Sequence, residues 1–200
     1  MQRTAAETRS HVLRVAQQLF YWRGIRATGV DLVATEAGVA PTTLYRLFAS
    51  KDELVGAYVQ QADDEFRALF RSVVTAAGND PRDQILALFD EIFAQVASDQ
   101  CRGCAFLMTL AEFPDPELSA HRNAVAAKVW IRDRLGELTA RLGVDDPAAL
   151  ADQLTLIFEG LHASSQSLGA QGPAKHARRL AEAVLSAVAP KSVAPKSTGP

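Results

Sequence analysis

Apolar residues recur along this chain with a period near 3.6, a pattern that predicts helices almost throughout. Val12, Val15, Ala16, Leu19 and Phe20 follow i, i+3, i+4, i+7, i+8 spacing and mark one face of a first helix. Thr4 with Glu7 has the spacing of a capping box at its start, and Gly24 marks its end. Thr28 and Asp31 repeat that spacing ahead of Leu32, Val33 and Ala34, in a helix that Gly38 limits to about two turns. Residues 40–48 read as a third short helix, with Pro41 at its first position, where a missing N–H does no harm. Ser50 with Glu53 opens a longer one, whose Leu54, Ala57, Tyr58, Ala62, Phe66, Leu69 and Phe70 carry it towards Ala77.

Past the breaker cluster Gly78-Asn79-Asp80-Pro81, further helices are predicted over 82–97, 104–113, 117–142, from 147 towards 168, and over 174–188. No stretch alternates at strand spacing. The expected fold is all-α: an N-terminal three-helix helix-turn-helix domain over residues 1–55, then a six-helix C-terminal domain over 56–189. Ala-Pro-Lys-Ser repeats at 189–192 and 194–197, and that composition predicts a disordered tail over 190–200.

Apolar residues fill 48% of the 200 positions and charged residues 22%, which supports a packed core and excludes a disordered chain. Lys plus Arg number 21 against 23 Asp plus Glu, so any nucleic-acid surface has to be local. Residues 1–57 hold seven Lys/Arg against five Asp/Glu and the remainder is acidic, a hint of two roles. Two cysteines are too few for a disulfide framework. No apolar run approaches the roughly 18 residues that span a bilayer, and the start lacks the apolar stretch of a secretory signal. The expected compartment is the reducing cytoplasm.

Residues 28–48 carry the chemistry. A short helix, a Gly38 turn and a second short helix studded with hydroxyls form a helix-turn-helix pattern. In such a unit the first helix crosses the DNA backbone and the second presents side chains to base edges in the major groove. Val33, Ala34, Ala37, Val39, Leu44 and Phe48 are candidates to clamp the two helices together. That leaves Pro41, Thr42, Thr43, Tyr45 and Arg46 facing outward, with Leu47 a further candidate, although Tyr45 can also pack partly into the small core. Threonine hydroxyls bond bases or phosphates, and the threonine methyl meets the thymine methyl. Tyr45 offers a phenolic donor for a phosphate. Lys51 starts the fourth helix, where its charge and the free N–H groups suit a phosphate, and Thr28 is a similar candidate at the start of the second.

The run Thr28-Gly29-Val30-Asp31-Leu32-Val33-Ala34-Thr35-Glu36-Ala37-Gly38-Val39-Ala40-Pro41-Thr42-Thr43-Leu44-Tyr45-Arg46-Leu47-Phe48, followed by Ala49-Ser50-Lys51-Asp52-Glu53-Leu54, closely resembles the DNA-binding segment of the tetracycline-repressor (TetR) family. The upstream Ala16-Gln17-Gln18-Leu19-Phe20 with Gly24 resembles that family's first helix. The resemblance covers about the first 55 residues. It implies an all-helical homodimer with a larger C-terminal domain for a small ligand and for dimerisation, and DNA contact at Thr28, Thr42, Thr43, Tyr45 and Lys51. Two departures stand out. Ala40 replaces the hydroxyl that often caps the recognition helix, and Pro41-Thr42 replaces the usual small or basic pair, so base preference does not transfer. Arg102-Gly103-Cys104-Ala105-Phe106-Leu107 and Glu112-Phe113-Pro114-Asp115-Pro116 resemble a segment of one broad branch of the family.

The C-terminal candidates are less sharply marked. Phe66, Phe70, Phe89, Phe93, Phe106, Met108, Phe113, Trp130 and Phe158 recur at helical spacing and serve either a core or a largely apolar ligand pocket. Glu112 and His162 are candidates to orient a ligand in it, and His162 also suits a dimer interface or a partly buried hydrogen bond. Leu150, Leu154, Phe158, Leu161, Ser165, Leu168, Leu180 and Val184 are candidates for a four-helix dimer interface or for packing within the chain. Cys101 and Cys104 form a lone Cys-x-x-Cys without the further ligands a zinc site needs.

The expected function is a homodimeric repressor released from a palindromic operator by a small, largely apolar ligand. No cofactor or metal is expected, and no membrane contact. The alternative is a helical partner-binding or redox-sensing protein using Cys101 and Cys104. An enzyme is not expected, because the chain has no phosphate-loop, nucleophile-elbow or zinc-protease motif.

Overall fold

Helix starts and stops follow local chemistry closely. The first helix, α1 (Ala5–Arg23), opens on a full capping box. Glu7 N–H donates to Thr4 Oγ1 at 3.2 Å, and Thr4 N–H donates to the Glu7 carboxylate at 2.7 Å. It stops at Gly24, whose φ of 92° favours glycine. The short helices α2 (Val30–Glu36) and α3 (Pro41–Leu47) precede the long α4 (Lys51–Ala76). The expected box at α4 forms with a shift of one residue. Glu53 N–H donates to Ser50 Oγ at 3.1 Å, while the Glu53 carboxylate accepts from Ala49 N–H at 2.8 Å.

The computed structural model describes residues 4–188, and among these are nine α-helices and no β-strand element. The remaining five are α5 (Pro81–Val96), α6 (Ala105–Glu112), α7 (Ser119–Ala140), α8 (Pro147–Leu168) and α9 (Ala177–Ala187). A 3-10 turn, Pro173–His176, precedes α9. Asp80 and Asp146 cap α5 and α8, each ahead of a proline at the first helical position. The tail predicted over 190–200 lies outside the described residues, as does residue 189. No helix among the described residues is long and apolar enough to cross a membrane.

The chain divides into two compact units. Among the described residues the first takes 4–69 together with 102–129, and the second takes 70–101 together with 130–188. The unit boundary falls within α4 and within α7. In the first unit one continuous core joins Val12, Ala16, Phe20, Val33, Leu44, Phe48, Leu54 and Tyr58 to Cys104, Phe106, Ala120, Ala124 and Ala127. The three alanines keep one face of α7 narrow. Close approach is required at Gly56, where an added Cβ would collide with Ser119 Oγ. Asn123 Nδ2 donates to the Gly56 carbonyl at 3.0 Å across the same contact. Reading along the sequence separates 102–129 from the first 55 residues, because helical periodicity does not show which distant helix covers which face.

The second unit buries Phe70, Ile85, Leu88, Phe89, Ile92, Ile131, Leu135, Leu150, Leu154, Phe158, Leu161 and Leu185. Its corner between α4 and α5 is tied by Gln84. The Gln84 side-chain amide donates to the carbonyls of Val74 and Gly78, and its oxygen accepts from Arg141 at 2.7 Å. These bonds satisfy a side chain that is 5% exposed, which burial without partners would penalise.

Candidate nucleic-acid interface

The turn between α2 and α3 is built by backbone hydrogen bonds. Gly38 N–H donates to the Thr35 carbonyl and Val39 N–H to the Ala34 carbonyl, both at 3.0 Å. This pair closes a Schellman motif, and its left-handed position is Gly38 at φ 64°. Ala40 then precedes α3 without a side-chain cap, and Pro41 supplies the first helical residue. Because Pro41 has no N–H, the missing cap leaves one fewer donor unpaired.

The inward and outward faces of α3 separate cleanly. Leu44 and Phe48 are 1% and 0% exposed and pack in the same core as Val33, Ala34 and Ala37, with Val39 half-buried against it. Burying a side chain the size of Phe48 contributes about 1.5–3 kcal/mol. The Arg9 guanidinium lies 4.5 Å from the Phe48 ring centroid and ties α1 to the end of the reader helix. Pro41, Thr42, Tyr45 and Arg46 are exposed, and Thr43 and Leu47 are half-buried. Tyr45 is 49% exposed, so its ring stands outward and does not join the small core.

Two expected contacts behave differently from that face. Thr28 is 0% exposed, and its hydroxyl donates to the Gly24 carbonyl at 2.8 Å. It therefore offers no surface to a phosphate. The capping box expected from Thr28 and Asp31 is absent as well, because α2 is capped at Gly29 without a side-chain bond. The hydroxyl closes the corner behind α2 instead. Lys51 is half-buried, and its Nζ lies 3.5 Å from the Arg26 carbonyl. Burial is the largest influence on its ammonium and holds its pKa below the ordinary lysine value; the Glu112 charge opposes that shift and Arg26 adds to it.

Residues 12–58 match the bacterial regulatory proteins of the tetR family. The chain is similar to the HTH-type transcriptional regulator YjdC of Escherichia coli K12, at 27% identity over 177 residues, 88% of this chain and 93% of that protein. It is 29% identical over 126 residues to the HTH-type transcriptional repressor KstR2 of Mycobacterium tuberculosis, which covers 62% of each. Its fold is similar to the crystal structure of a TetR-family transcriptional regulator from Streptomyces coelicolor, with a TM-score of 0.82 and 34% identity over 90% of this chain and 95% of that one. The chain belongs to the TetR family.

This TetR-family protein is a DNA-binding transcription regulator and not an enzyme, and its remaining candidate residues can be placed accordingly. The ligand candidates are divided between the units. Phe66, Phe106, Met108, Glu112 and Phe113 lie in the first, and Phe70, Phe89, Phe93, Trp130, Phe158 and His162 in the second. Phe70, Phe89, Phe106 and Phe158 are core residues, each at most 7% exposed. Trp130 stacks edge-on against Phe70 at 5.2 Å, and His162 Nδ1 bonds to the Phe158 carbonyl at 3.0 Å. Glu112 is spent on backbone N–H groups of Ile25 and Arg26, so it is a structural clamp rather than a free ligand-orienting group.

The dimer candidates also divide. Leu150, Leu154, Phe158 and Leu161 are buried within the chain, and Ser165 Oγ donates to the Val96 carbonyl. They form the inner face of α8. Leu168 and Leu180 are 66% and 53% exposed, and Val184 is half-buried. The residue missed is Leu156, at 72% exposed. It lines an open groove of about 310 Å³ with Ile157, Gly160, Ser164, Ala177 and Leu180. The recurrence of Leu156, Gly160, Ser164 and Leu168 at every fourth position was the available signal for a second apolar stripe.

Cys104 is buried and receives a hydrogen bond from Lys128 Nζ at 3.3 Å, Cys101 is half-buried, and the two are not joined in a disulfide. Among the described residues no group of three or more His, Cys, Asp or Glu is placed to hold a metal ion.

Proposed function

We propose that this regulator is a homodimeric, cytoplasmic repressor. In that reading two copies of α3 enter successive major grooves of a palindromic operator. The single observation that carries it is the split face of α3, with Leu44 and Phe48 fully packed while Pro41, Thr42, Tyr45 and Arg46 stand in solvent. Thr42, Thr43 and Arg46 then meet base edges or phosphates, and Tyr45 and Lys51 meet phosphates. Thr28 has no part in it. Relatives named as repressors support the direction of control.

A dimer places two reader helices about 34–36 Å apart, one duplex turn. The exposed stripe of Leu156, Leu168 and Leu180 on α8 and α9 supports self-association there, since single-chain burial leaves those leucines in water. The effector is a small, largely apolar molecule. Within the second unit, Phe93, Trp130 and His162 keep accessible surface and are the candidates to meet it. To move the protein from 99% bound to 99% released, the effector has to favour the released state by about 10⁴-fold.

The test is selection of duplexes from a randomised pool at a fixed salt concentration, followed by footprinting. The expected product is an inverted repeat protected on one face of the duplex. Recovery of sequences no different from the starting pool would overturn the reading.

A further inference from the structure

The corner that joins α1 to α2 is held from outside its own sequence. Gly24 turns the chain at φ 92°, Ile25 is 2% exposed, and the following Thr28 is sealed by its bond to Gly24. The backbone N–H groups of Ile25 and Arg26 have no helical partner at this corner. Both donate to one carboxylate, that of Glu112, the last residue of α6, at 3.0 Å to Oε1 and 2.6 Å to Oε2. The grip is returned, because Arg26 Nε donates to the Glu112 carbonyl at 2.6 Å and its guanidinium lies 5.7 Å from the Phe113 ring centroid. On the α6 side, His121 Nδ1 bonds to the Phe113 carbonyl at 2.8 Å and fixes the end of that helix. On the other side of the corner, Lys51 Nζ reaches the Arg26 carbonyl.

A charged acceptor between two adjacent N–H groups makes stronger hydrogen bonds than a neutral one, and only a carboxylate offers both oxygens as acceptors. The corner in turn sets the direction in which α2, and then α3, leaves α1. We propose that Glu112 is a positioning residue for operator binding: its carboxylate fixes the α1–α2 corner, and with it the reader helix, to the end of α6. The inference rests on the DNA-binding reading. It adds a path by which a shift at α6 reaches the DNA face within one compact unit.

The test compares the unsubstituted protein with Glu112→Gln and Glu112→Ala. Binding is measured to a duplex selected by the unsubstituted protein and to an unselected duplex, at one salt concentration, and referred to the folded fraction. Glutamine keeps the shape and one acceptor, so it restores part of what alanine loses. The expected result is selected-duplex affinity weakened about fivefold or more in Glu112→Gln and about tenfold or more in Glu112→Ala. Unselected-duplex affinity stays the same, because phosphate attraction does not need the corner angle. Hydrogen exchange of a peptide covering 24–28 speeds up in both variants. A simple loss of fold would lower both affinities together and would disappear after correction for the folded fraction. If Glu112→Gln binds the selected duplex within twofold of the unsubstituted protein, the inference is overturned, whether or not Glu112→Ala folds. If the unsubstituted protein selects no duplex, the DNA-binding reading has failed instead.

Discussion

The Tyr21 hydroxyl donates to the Gly103 carbonyl at 2.9 Å. The same oxygen accepts from the N–H groups of Arg102 and Gly103, at 2.7 and 3.1 Å. One phenol near the end of α1 therefore organises the loop ahead of α6, and Arg102 Nη1 answers by donating to the Tyr21 carbonyl. The Glu112 clamp holds the far end of α6, so both ends of that short helix are tied to the α1–α2 region.

Tyr21→Phe removes the hydroxyl and keeps the ring. It leaves three backbone groups, at Arg102 and Gly103, without that partner. Leaving a partly buried polar group unpaired costs about 1–3 kcal/mol. Unfolding free energy from urea denaturation should fall by that amount, seen as a lower midpoint with an unchanged slope. An unchanged midpoint would show that water replaces the phenol at no cost.

Gly24→Ala tests the corner from the backbone side. At φ 92° and ψ 148° a side chain is strained, while the space itself is open, since an added Cβ would stand 3.6 Å from Glu112 Oε1. Backbone strain of this kind costs about 1–3 kcal/mol. Chemical denaturation should show that loss, together with faster hydrogen exchange around 24–28. A fully stable alanine variant would mean that the corner relaxes to negative φ without penalty.

What the sequence made legible here was local. Gly38, Pro41 and the Thr4–Glu7 pair act over a few residues, and their spacing alone predicts a turn, a helix start and a cap. The inward face of α3 was legible for the same reason, because Leu44 and Phe48 are one helical turn apart. Thr28 misled, since its spacing to Asp31 matches a capping box while its hydroxyl bonds backward to Gly24. Periodicity cannot decide between two nearby acceptors. Glu112 was out of reach for a different reason, as its partners lie 86 and 87 residues away. On α8, periodicity identified Leu150, Leu154 and Phe158 as one apolar face. It could not say that this face is covered by the chain itself while Leu156 is left outside.

Lys51 should give operator binding a pH dependence of its own. Burial lowers its pKa, so the ammonium loses its proton at a pH below the ordinary lysine range. A phosphate contact made by that charge weakens as pH rises towards the ordinary lysine value of about 10.4, and does so earlier than an unburied lysine would. In Lys51→Arg the charge persists and the profile should be flat, because guanidinium does not titrate there. Fluorescence anisotropy with the selected duplex at constant salt measures both. Parallel profiles for the two proteins would remove Lys51 from the contact set.

Tyr58 predicts the alkaline limit of stability. It is 2% exposed and meets Phe20 edge-on at 5.7 Å. Burial, reinforced by Tyr21, Cys104 and Glu112, holds its phenol neutral well above the ordinary tyrosine range. Below about pH 10 both folded and unfolded chains carry the neutral form, and this contribution is fully present. Above that, the unfolded chain ionises and the folded one resists, so stability falls as pH rises towards the folded value. Tyr58→Phe removes that loss. Its denaturation midpoint should decline less steeply above about pH 10 than that of the unsubstituted protein. Equal slopes would show that Tyr58 ionises as readily in the fold as out of it.

Leu156→Glu combined with Leu180→Glu tests the self-association surface. Both leucines are more than half exposed in the single chain, so charge there costs the fold little. In a dimer through α8 and α9 the same charges would be buried against their symmetry mates, and like charges brought together out of water are strongly unfavourable. Sedimentation should show a single chain of 21.5 kDa in place of a pair. Operator affinity should then fall to that of a half-site, because one reader helix has lost the second that fixes its spacing. Helical content and the thermal transition of the separated chain serve as the control for folding. A double variant that still sediments as a pair would move the dimer interface away from this groove.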